Sequence, residues 1–118
     1  MAIEVEVGNE PVLDPTDARH LLQIAREALG NAARYSGAAT VKVSLSVNGE
    51  VLELRVTDDG NGFDPHTATR PGHQGIGNMR ARAQSLGATL DIISEPGSGA
   101  SVCLRMAGVN AKRRRSDA

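Results

Sequence analysis

The chain has 118 residues and a formal net charge of −1 at pH 7, and it contains one Tyr, one Phe and no Trp. That length suits one domain with a real hydrophobic core. The scarcity of aromatic residues excludes stacking platforms for single-stranded nucleic acid, and the low net charge gives no electrostatic footprint for DNA. A single cysteine excludes an internal disulfide framework, and the sequence has neither a signal peptide nor an apolar run of membrane-spanning length. We therefore expect one cytoplasmic domain without contact to nucleic acid or membrane.

The first part of the chain predicts a short strand, a loop and a long helix. Residues 3–7 alternate apolar and charged side chains, as a short edge strand does. After a loop rich in Gly, Pro and Asp, the helix is expected from about Pro15 to Tyr35, with Asp14 or Thr16 as its N-cap. One broad face of this helix is apolar and consists of Leu21, Leu22, Ile24, Ala25, Ala28, Leu29 and Ala32.

Two polar residues of this helix, Glu27 and Asn31, lie one turn apart at the margin of the apolar face. A side chain at that margin can be half-buried at the rim of a pocket. Ordinary solvent-facing positions fit the same pattern, because most Glu and Asn residues are exposed.

A β-hairpin follows the helix. Residues 40–47 and 51–57 alternate strictly, and Asn48-Gly49 between them predicts a two-residue turn. The second strand runs into Asp58-x-Gly60-x-Gly62. A short acceptor at the end of a strand, next to glycine backbone, suits a nucleotide pocket, whereas the motif taken alone favours a turn.

The second half of the chain predicts a functional loop and a second helix. Residues 61–74 lose all periodicity, and a loop of that length in a small domain is usually functional or disordered. Gly75-Ile76-Gly77 opens a helix that is expected over residues 78–86, with Gly87 as its C-cap.

Two strands, residues 89–94 and 101–106, are expected to close the domain through the loop Glu95-Pro-Gly-Ser-Gly99. We place the domain at residues 1–107. Residues 108–118, which include a short basic run, predict a disordered tail.

Four glycine- or carboxylate-bearing segments stand in a definite order along the chain: Glu27–Asn31, Asp58–Gly62, Gly75–Gly77 and Gly97–Gly99. In this order and spacing they resemble the ATP-binding domain shared by gyrase, Hsp90, histidine kinases and MutL, the Bergerat or GHKL type. The resemblance covers residues 12–104. It implies a two-layer α/β (α+β) sandwich in which a mixed, mostly antiparallel sheet carries helices on one face.

The amino-acid sequences of three segments indicate one branch of that superfamily. Residues 26–38, residues 75–83 and residues 94–99 are similar to sensor histidine kinases that signal to LuxR/NarL-type response regulators. Three positions depart from the pattern of that branch: Tyr35 stands for the usual His, Ala81 for Glu, and Ala100 for Thr. The last departure removes a hydroxyl that would support a water-mediated adenine contact.

The resemblance also implies roles for single residues. Asp58 would accept the adenine amino group, while Gly60 and Gly62 would let the backbone approach the base. Asn31 would supply an oxygen to Mg²⁺, and Glu27 would act as a general base or orient the acceptor. The ATP phosphates would bind at the start of the second helix, at Gly75, Ile76 and Gly77. The two glycines would also act as the hinge of a lid over the nucleotide. Weaker candidates, for phosphate contact or for the partner surface, are Arg34 and Arg80.

These roles imply the catalytic domain of a protein histidine kinase, which binds ATP and Mg²⁺ and donates the γ-phosphoryl group to a histidine on a separate dimerisation and phosphoacceptor domain. None of His20, His66 and His73 has a phosphoacceptor context, so that domain is expected upstream in a longer kinase or in trans, with a LuxR/NarL-type regulator as the indirect partner. Two alternatives stay open: an anti-sigma-factor-like serine kinase and binding module, and a degenerate nucleotide sensor.

Overall fold

A computed structural model of the protein describes residues 2–33, 37–61, 74–94, 97 and 99–112. Neither helix in these ranges is long and apolar enough to cross a membrane. The elements, in chain order, are β1 (Ala2–Val7), α1 (Pro15–Asn31), β2 (Thr40–Asn48), β3 (Val51–Asp58), α2 (Gln74–Ser85), β4 (Thr89–Ser94) and β5 (Ala100–Ala107).

The strands form one sheet in the order β1-β2-β3-β5-β4. β1 runs parallel to β2, and the other three neighbouring pairs are antiparallel. β1 is therefore an edge strand, and β3 occupies the centre of the sheet. The expected mixed, mostly antiparallel sheet is confirmed.

Both helices lie on one face of the sheet, where they bury the hydrophobic core. α1 packs on α2 and over β3, and α2 also packs over β4. The largest fully buried side chains come from both layers and include Ile24, Leu52, Met79 and Leu104. The expected two-layer sandwich, with helices on one face, is thus confirmed.

The opposite face of the sheet is polar. Glu53 on β3 accepts a hydrogen bond from Arg105 Nε at 3.1 Å and forms an ion pair with Arg55 at 3.2 Å. The hydrogen bond from Arg105 is the main reason why the pKa of Glu53 lies below its usual value. A half-exposed ion network of this kind is typical of a solvated surface and not of a second core.

Both helices differ from their predicted bounds. α1 begins as expected, with Asp14 Oδ1 accepting the Asp17 N–H at 2.8 Å, but it ends at Asn31; residues 34–36 lie outside the described residues. α2 begins at Gln74 rather than at residue 78, so Gly75, Ile76 and Gly77 belong to its first turn. Each glycine in a helix costs about 1 kcal/mol relative to alanine, and burial of Ile76, only 3% exposed, offsets part of that cost.

The β2–β3 turn and the C-terminal segment also differ from the predictions. Asn48 still pairs with Val51, so the turn residues are Gly49 and Glu50, and Gly49 takes the left-handed φ of +63° that the tight connection requires. Val109 lies beyond the expected boundary at residue 107, yet it is 3% exposed and its N–H donates to Glu50 O at 3.0 Å. Backbone hydrogen bonds from Val12 to Asn110 O and from Lys112 to Glu10 O also hold this segment against the domain, and residues 113–118 lie outside the described residues.

A groove of about 440 Å³ runs between β1 and α1 and is lined mainly by apolar side chains. Val5 on β1 is 67% exposed, and Leu22 is 58% exposed although the helical pattern placed it on the buried face. These side chains are exposed because two helices cannot cover the full width of the sheet: packed helices are about 8–10 Å apart and strands are about 4.8 Å apart. Two helices seated over β3 and β4 therefore leave β1 uncovered.

The adjacent leucines of α1 provide a matched test of this packing. We expect Leu21→Ala to lower the free energy of unfolding by about 2–4 kcal/mol, because Leu21 is buried against the sheet. Leu22→Ala should cost less than about 1 kcal/mol, because that side chain already contacts solvent. Urea unfolding of the two variants measures the difference, and equal losses would contradict the seating of α1 described here.

Candidate functional site

Asp58 is the last residue of the central strand, and its side chain points towards the helices, as do those of Val56 and Leu54, which are buried in the core two and four positions earlier. Asp58 Oδ1 accepts the N–H of Gly60 at 2.9 Å. Oδ2 accepts no hydrogen bond from the described residues. This half-buried carboxylate therefore keeps one acceptor atom to which no described residue donates.

The neighbouring residue, Asp59, has a different environment. Its Oδ1 accepts the N–H groups of both Ala39 and Thr40, each at 2.9 Å, just before and at the start of β2. Its own N–H donates to Thr40 O at 3.3 Å. The Asp58 side chain thus faces the site, whereas the Asp59 side chain bonds to the backbone at the start of β2. The sequence pattern alone did not distinguish these two roles.

Glu27 and Asn31 meet the first turn of α2. A Cβ atom built on Gly75 would contact Glu27 Oε2 and would lie 3.3 Å from Glu27 Cδ and 3.5 Å from Asn31 Oδ1. A side chain at position 75 would therefore displace the Glu27 carboxylate. Glycine at position 75 thus lets the Glu27 carboxylate lie against the first turn of α2, and it does so without a left-handed φ.

The Asn31 side chain carries an unusual atom. Its Oδ1 is buried and has no hydrogen-bond partner among the described residues. Buried acceptors are nearly always satisfied, because leaving one without a donor costs about 1–3 kcal/mol. A hard cation bound at this oxygen would satisfy it.

The first turn of α2 adds backbone donors to this cluster. The first four N–H groups of a helix have no partner within the helix, and the helix dipole makes that end partly positive. The Glu27 carboxylate lies against Gly75 in this turn. Ile76 turns its side chain into the core, and Gly77 is exposed. The N–H groups of this turn are thus the part of it that suits an anion.

The loop between β4 and β5 contacts the end of β3 on the side opposite β2. A Cβ built on Gly99 would lie 2.5 Å from Asp58 O, and Gly99 has a φ of +77°. Ser94 Oγ, which is buried, donates to Gly99 O at 3.2 Å. A cavity of about 260 Å³ opens beside Asp58 at this end of the sheet, and Ser94 and Gly99 help to line it. The Gly-Ser-Gly motif was visible in the sequence, but its approach to Asp58 was not.

The remaining predicted site residues differ in how far the structure describes them. Gly60, two residues after Asp58, is half-exposed, whereas Arg34 and Gly62 lie outside the described residues. Most of the predicted lid, residues 62–73, lies outside them as well. Arg80 is exposed on α2.

The chain belongs to the family of histidine kinase-, DNA gyrase B- and HSP90-like ATPases, whose model matches residues 16–108. This confirms the family that the four sequence segments indicated. Within the family, the chain is similar to the nitrate/nitrite sensor protein NarX of Escherichia coli K12, with 45% identity over 85 residues. It is also similar to the sensor protein VraS of Staphylococcus aureus, with 40% identity over 80 residues.

The chain spans 14% of the length of NarX and 23% of the length of VraS, while these matches cover 71% and 68% of the chain itself. Among solved structures, it resembles the histidine kinase domain of the blue-light activated kinase of Erythrobacter litoralis EL346. That match has a TM-score of 0.67 and 27% identity, and it covers 91% of this chain and 52% of the other. The predicted relationship to sensor histidine kinases is confirmed.

Two glycines in the first turn of α2 allow a matched test of the Glu27 position. Gly75→Ala should move the Glu27 carboxylate, whereas Gly77→Ala should leave it in place because nothing lies within 4 Å of a Cβ there. Each change adds helix propensity of about 0.5–1 kcal/mol, so neither variant should unfold. The ¹³C shift of the Glu27 carboxyl carbon measures the effect, and identical shifts in both variants would contradict the contact.

Proposed function

We propose that this domain binds Mg²⁺–ATP and donates the γ-phosphoryl group to a histidine on a separate dimerisation and phosphoacceptor domain. The observation that carries the proposal is the Oδ1 of Asn31, which is buried beside Glu27 at the first turn of α2 and has no hydrogen-bond partner among the described residues. It combines in one place an oxygen that suits a hard cation, a carboxylate and the free N–H groups of a helix. Membership of an ATPase family supports ATP as the nucleotide.

The adenine end of the nucleotide is assigned to Asp58. An ionised carboxylate only accepts hydrogen bonds, so it suits the exocyclic amino group of adenine and disfavours the carbonyl oxygen of guanine. The bond from the Gly60 N–H holds one carboxylate oxygen and leaves the other for the base. Gly60, which has no side chain, lets the base approach the backbone.

The phosphate end is assigned to Asn31 and the first turn of α2. The described residues contain no group of three or more His, Cys, Asp or Glu side chains that could hold a metal. A site with a single amide oxygen fits Mg²⁺, which takes most of its ligands from phosphates and water. The ion, when bound, neutralises phosphate charge during transfer. Asn31 would orient it, and the N–H groups of α2 would bind phosphate oxygens.

Glu27 is assigned to the transfer itself. In that step an imidazole nitrogen forms a bond to the γ-phosphorus while the bond from this phosphorus to the ADP oxygen breaks. Glu27 would accept the imidazole proton or orient the ring, since it lies beside the residues assigned to the phosphates. The acceptor histidine would come from another domain in the cytoplasm, and a LuxR/NarL-type regulator would then receive the phosphoryl group.

Calorimetric titration with ATP and Mg²⁺ tests the adenine assignment. Asp58→Asn should weaken ATP binding by at least about tenfold, because the amide places a donor against the adenine amino group. Asp91→Asn is the matched control, since Asp91 is exposed on β4, and it should bind ATP as the wild type does. Equal affinities of all three proteins, or no binding by the wild type, would contradict the proposal.

Transfer to an added phosphoacceptor domain of a sensor kinase, followed with γ-labelled ATP, tests the second half of the proposal. A phosphorylated product that is labile in acid and stable in base identifies phosphohistidine. The reverse stability would identify a serine kinase. Binding of ATP with no transfer would identify a nucleotide sensor.

The variant Asn31→Leu tests two effects of the Asn31 oxygen: the free energy lost by burying it, and its role in Mg²⁺ binding. We expect this variant to raise the free energy of unfolding in the absence of ligand by about 1 kcal/mol, because it removes a buried acceptor without a donor. In the same variant Mg²⁺ should no longer strengthen ATP binding. Asn110→Leu, at an exposed site near the other end of α1, is the control and should retain the Mg²⁺ effect. Retention of that effect in Asn31→Leu would refute the assignment.

A further inference from the structure

The residues assigned to the adenine base lie where the chain leaves the sheet. Asp58 is the last residue of β3, and its partners Val41 and Ala100 are the last register pairs on either side. Beyond it, residues 59–61 belong to no strand. The direction of the Asp58 carboxylate therefore depends on what holds this short segment.

On the β2 side, the segment is held by Asp59. Its side chain and backbone make three hydrogen bonds to Ala39 and Thr40, of which two are charge-assisted bonds of 2.9 Å to one carboxylate oxygen. Two donors converging on one oxygen fix both the position and the direction of the carboxylate. Because Asp59 is bonded to Asp58 through the main chain, this anchor also fixes the backbone from which the Asp58 side chain extends.

On the β5 side, the same segment meets Gly99. The position of a Cβ on Gly99 is 2.5 Å from Asp58 O and 3.6 Å from Asp59 Cα, so the two backbones are in direct contact. The N–H of Gly97 donates to Asn61 O. Gly99 therefore packs against the segment on this side, and Asp59 holds it on the β2 side.

We propose that Asp59 is a positioning residue for the nucleotide site, which acts through the backbone to aim the Asp58 carboxylate at the adenine amino group. The proposal rests on the adenine role proposed for Asp58. A residue that only stabilised the fold would mainly affect the free energy of unfolding. Loss of the Asp59 anchor should instead change the position of the Asp58 carboxylate and the affinity for ATP more than it changes the free energy of unfolding.

Three variants of the full chain test the proposal by ATP titration. Asp59→Ala, which loses both accepted bonds, should weaken ATP binding by about tenfold or more. Asp59→Asn keeps a side-chain oxygen for the same two N–H groups and should stay within about threefold of the wild type. Asp14→Ala is the matched control: Asp14 also accepts a backbone N–H, but at the start of α1, and its loss should not change ATP affinity.

A second measurement does not need ATP. The Gly60 amide donates to Asp58 Oδ1, so its ¹H–¹⁵N resonance and its hydrogen exchange report the position of that carboxylate. In Asp59→Ala this resonance should shift and exchange faster, and in Asp59→Asn it should match the wild type. An unchanged Gly60 amide in a folded Asp59→Ala protein would overturn the proposal.

The two measurements distinguish the possible failures. If the wild type does not bind ATP, the proposed function fails, and the Gly60 amide still decides whether Asp59 positions Asp58. If the wild type binds ATP and Asp59→Ala binds it equally well, the positioning role is refuted while the proposed function stands. Equal weakening of binding in Asp59→Ala and Asp59→Asn would refute it as well, because it would assign the effect to charge rather than to the accepted bonds.

Discussion

The packing of α1 against α2 is the interaction on which the rest of the site depends. The two helices share the buried core through Ile24 and Met79, and His20 contacts Arg82 at 3.3 Å across their interface. This packing places the polar margin of α1 against the first turn of α2. A site for a highly charged ligand can thus form at the meeting point of two helices, without any large cluster of charged side chains in the described residues.

The site is built from groups that do not favour folding on their own. Asn31 has a buried acceptor to which no described residue donates, and glycine at position 75 gives up helix propensity where the Glu27 carboxylate lies. The aliphatic core has to offset these costs, and its fully buried side chains come from both helices and from strands β2, β3 and β5. Local destabilisation at a functional site, supported by packing elsewhere, is the usual relationship between activity and stability.

Most of the fold could be predicted from the sequence, because alternation and helical periodicity report directly on burial. The helical wheel placed Glu27 and Asn31 at the margin of the apolar face, but it did not decide between a half-buried and a solvent-facing position. The errors have physical causes: glycine preferences hid the first turn of α2, and periodicity could not reveal that Leu22 faces an uncovered part of the sheet. The contacts of Asp59 and Gly99 could not be predicted at all, since they join segments far apart in the chain.

The parallel pairing of β1 with β2 has a consequence for the order in which the domain opens. Ala2 pairs with Thr40, so this contact closes a loop that contains the whole of α1, whereas β2 and β3 are joined by a turn of two residues. All residues of β1 are exposed, and neither helix packs over it. Because β1 closes a long loop and buries little surface, its pairing is the least stable in the sheet. Local unfolding of the domain therefore begins at its amino-terminal strand and leaves the hairpins on which the site is built intact.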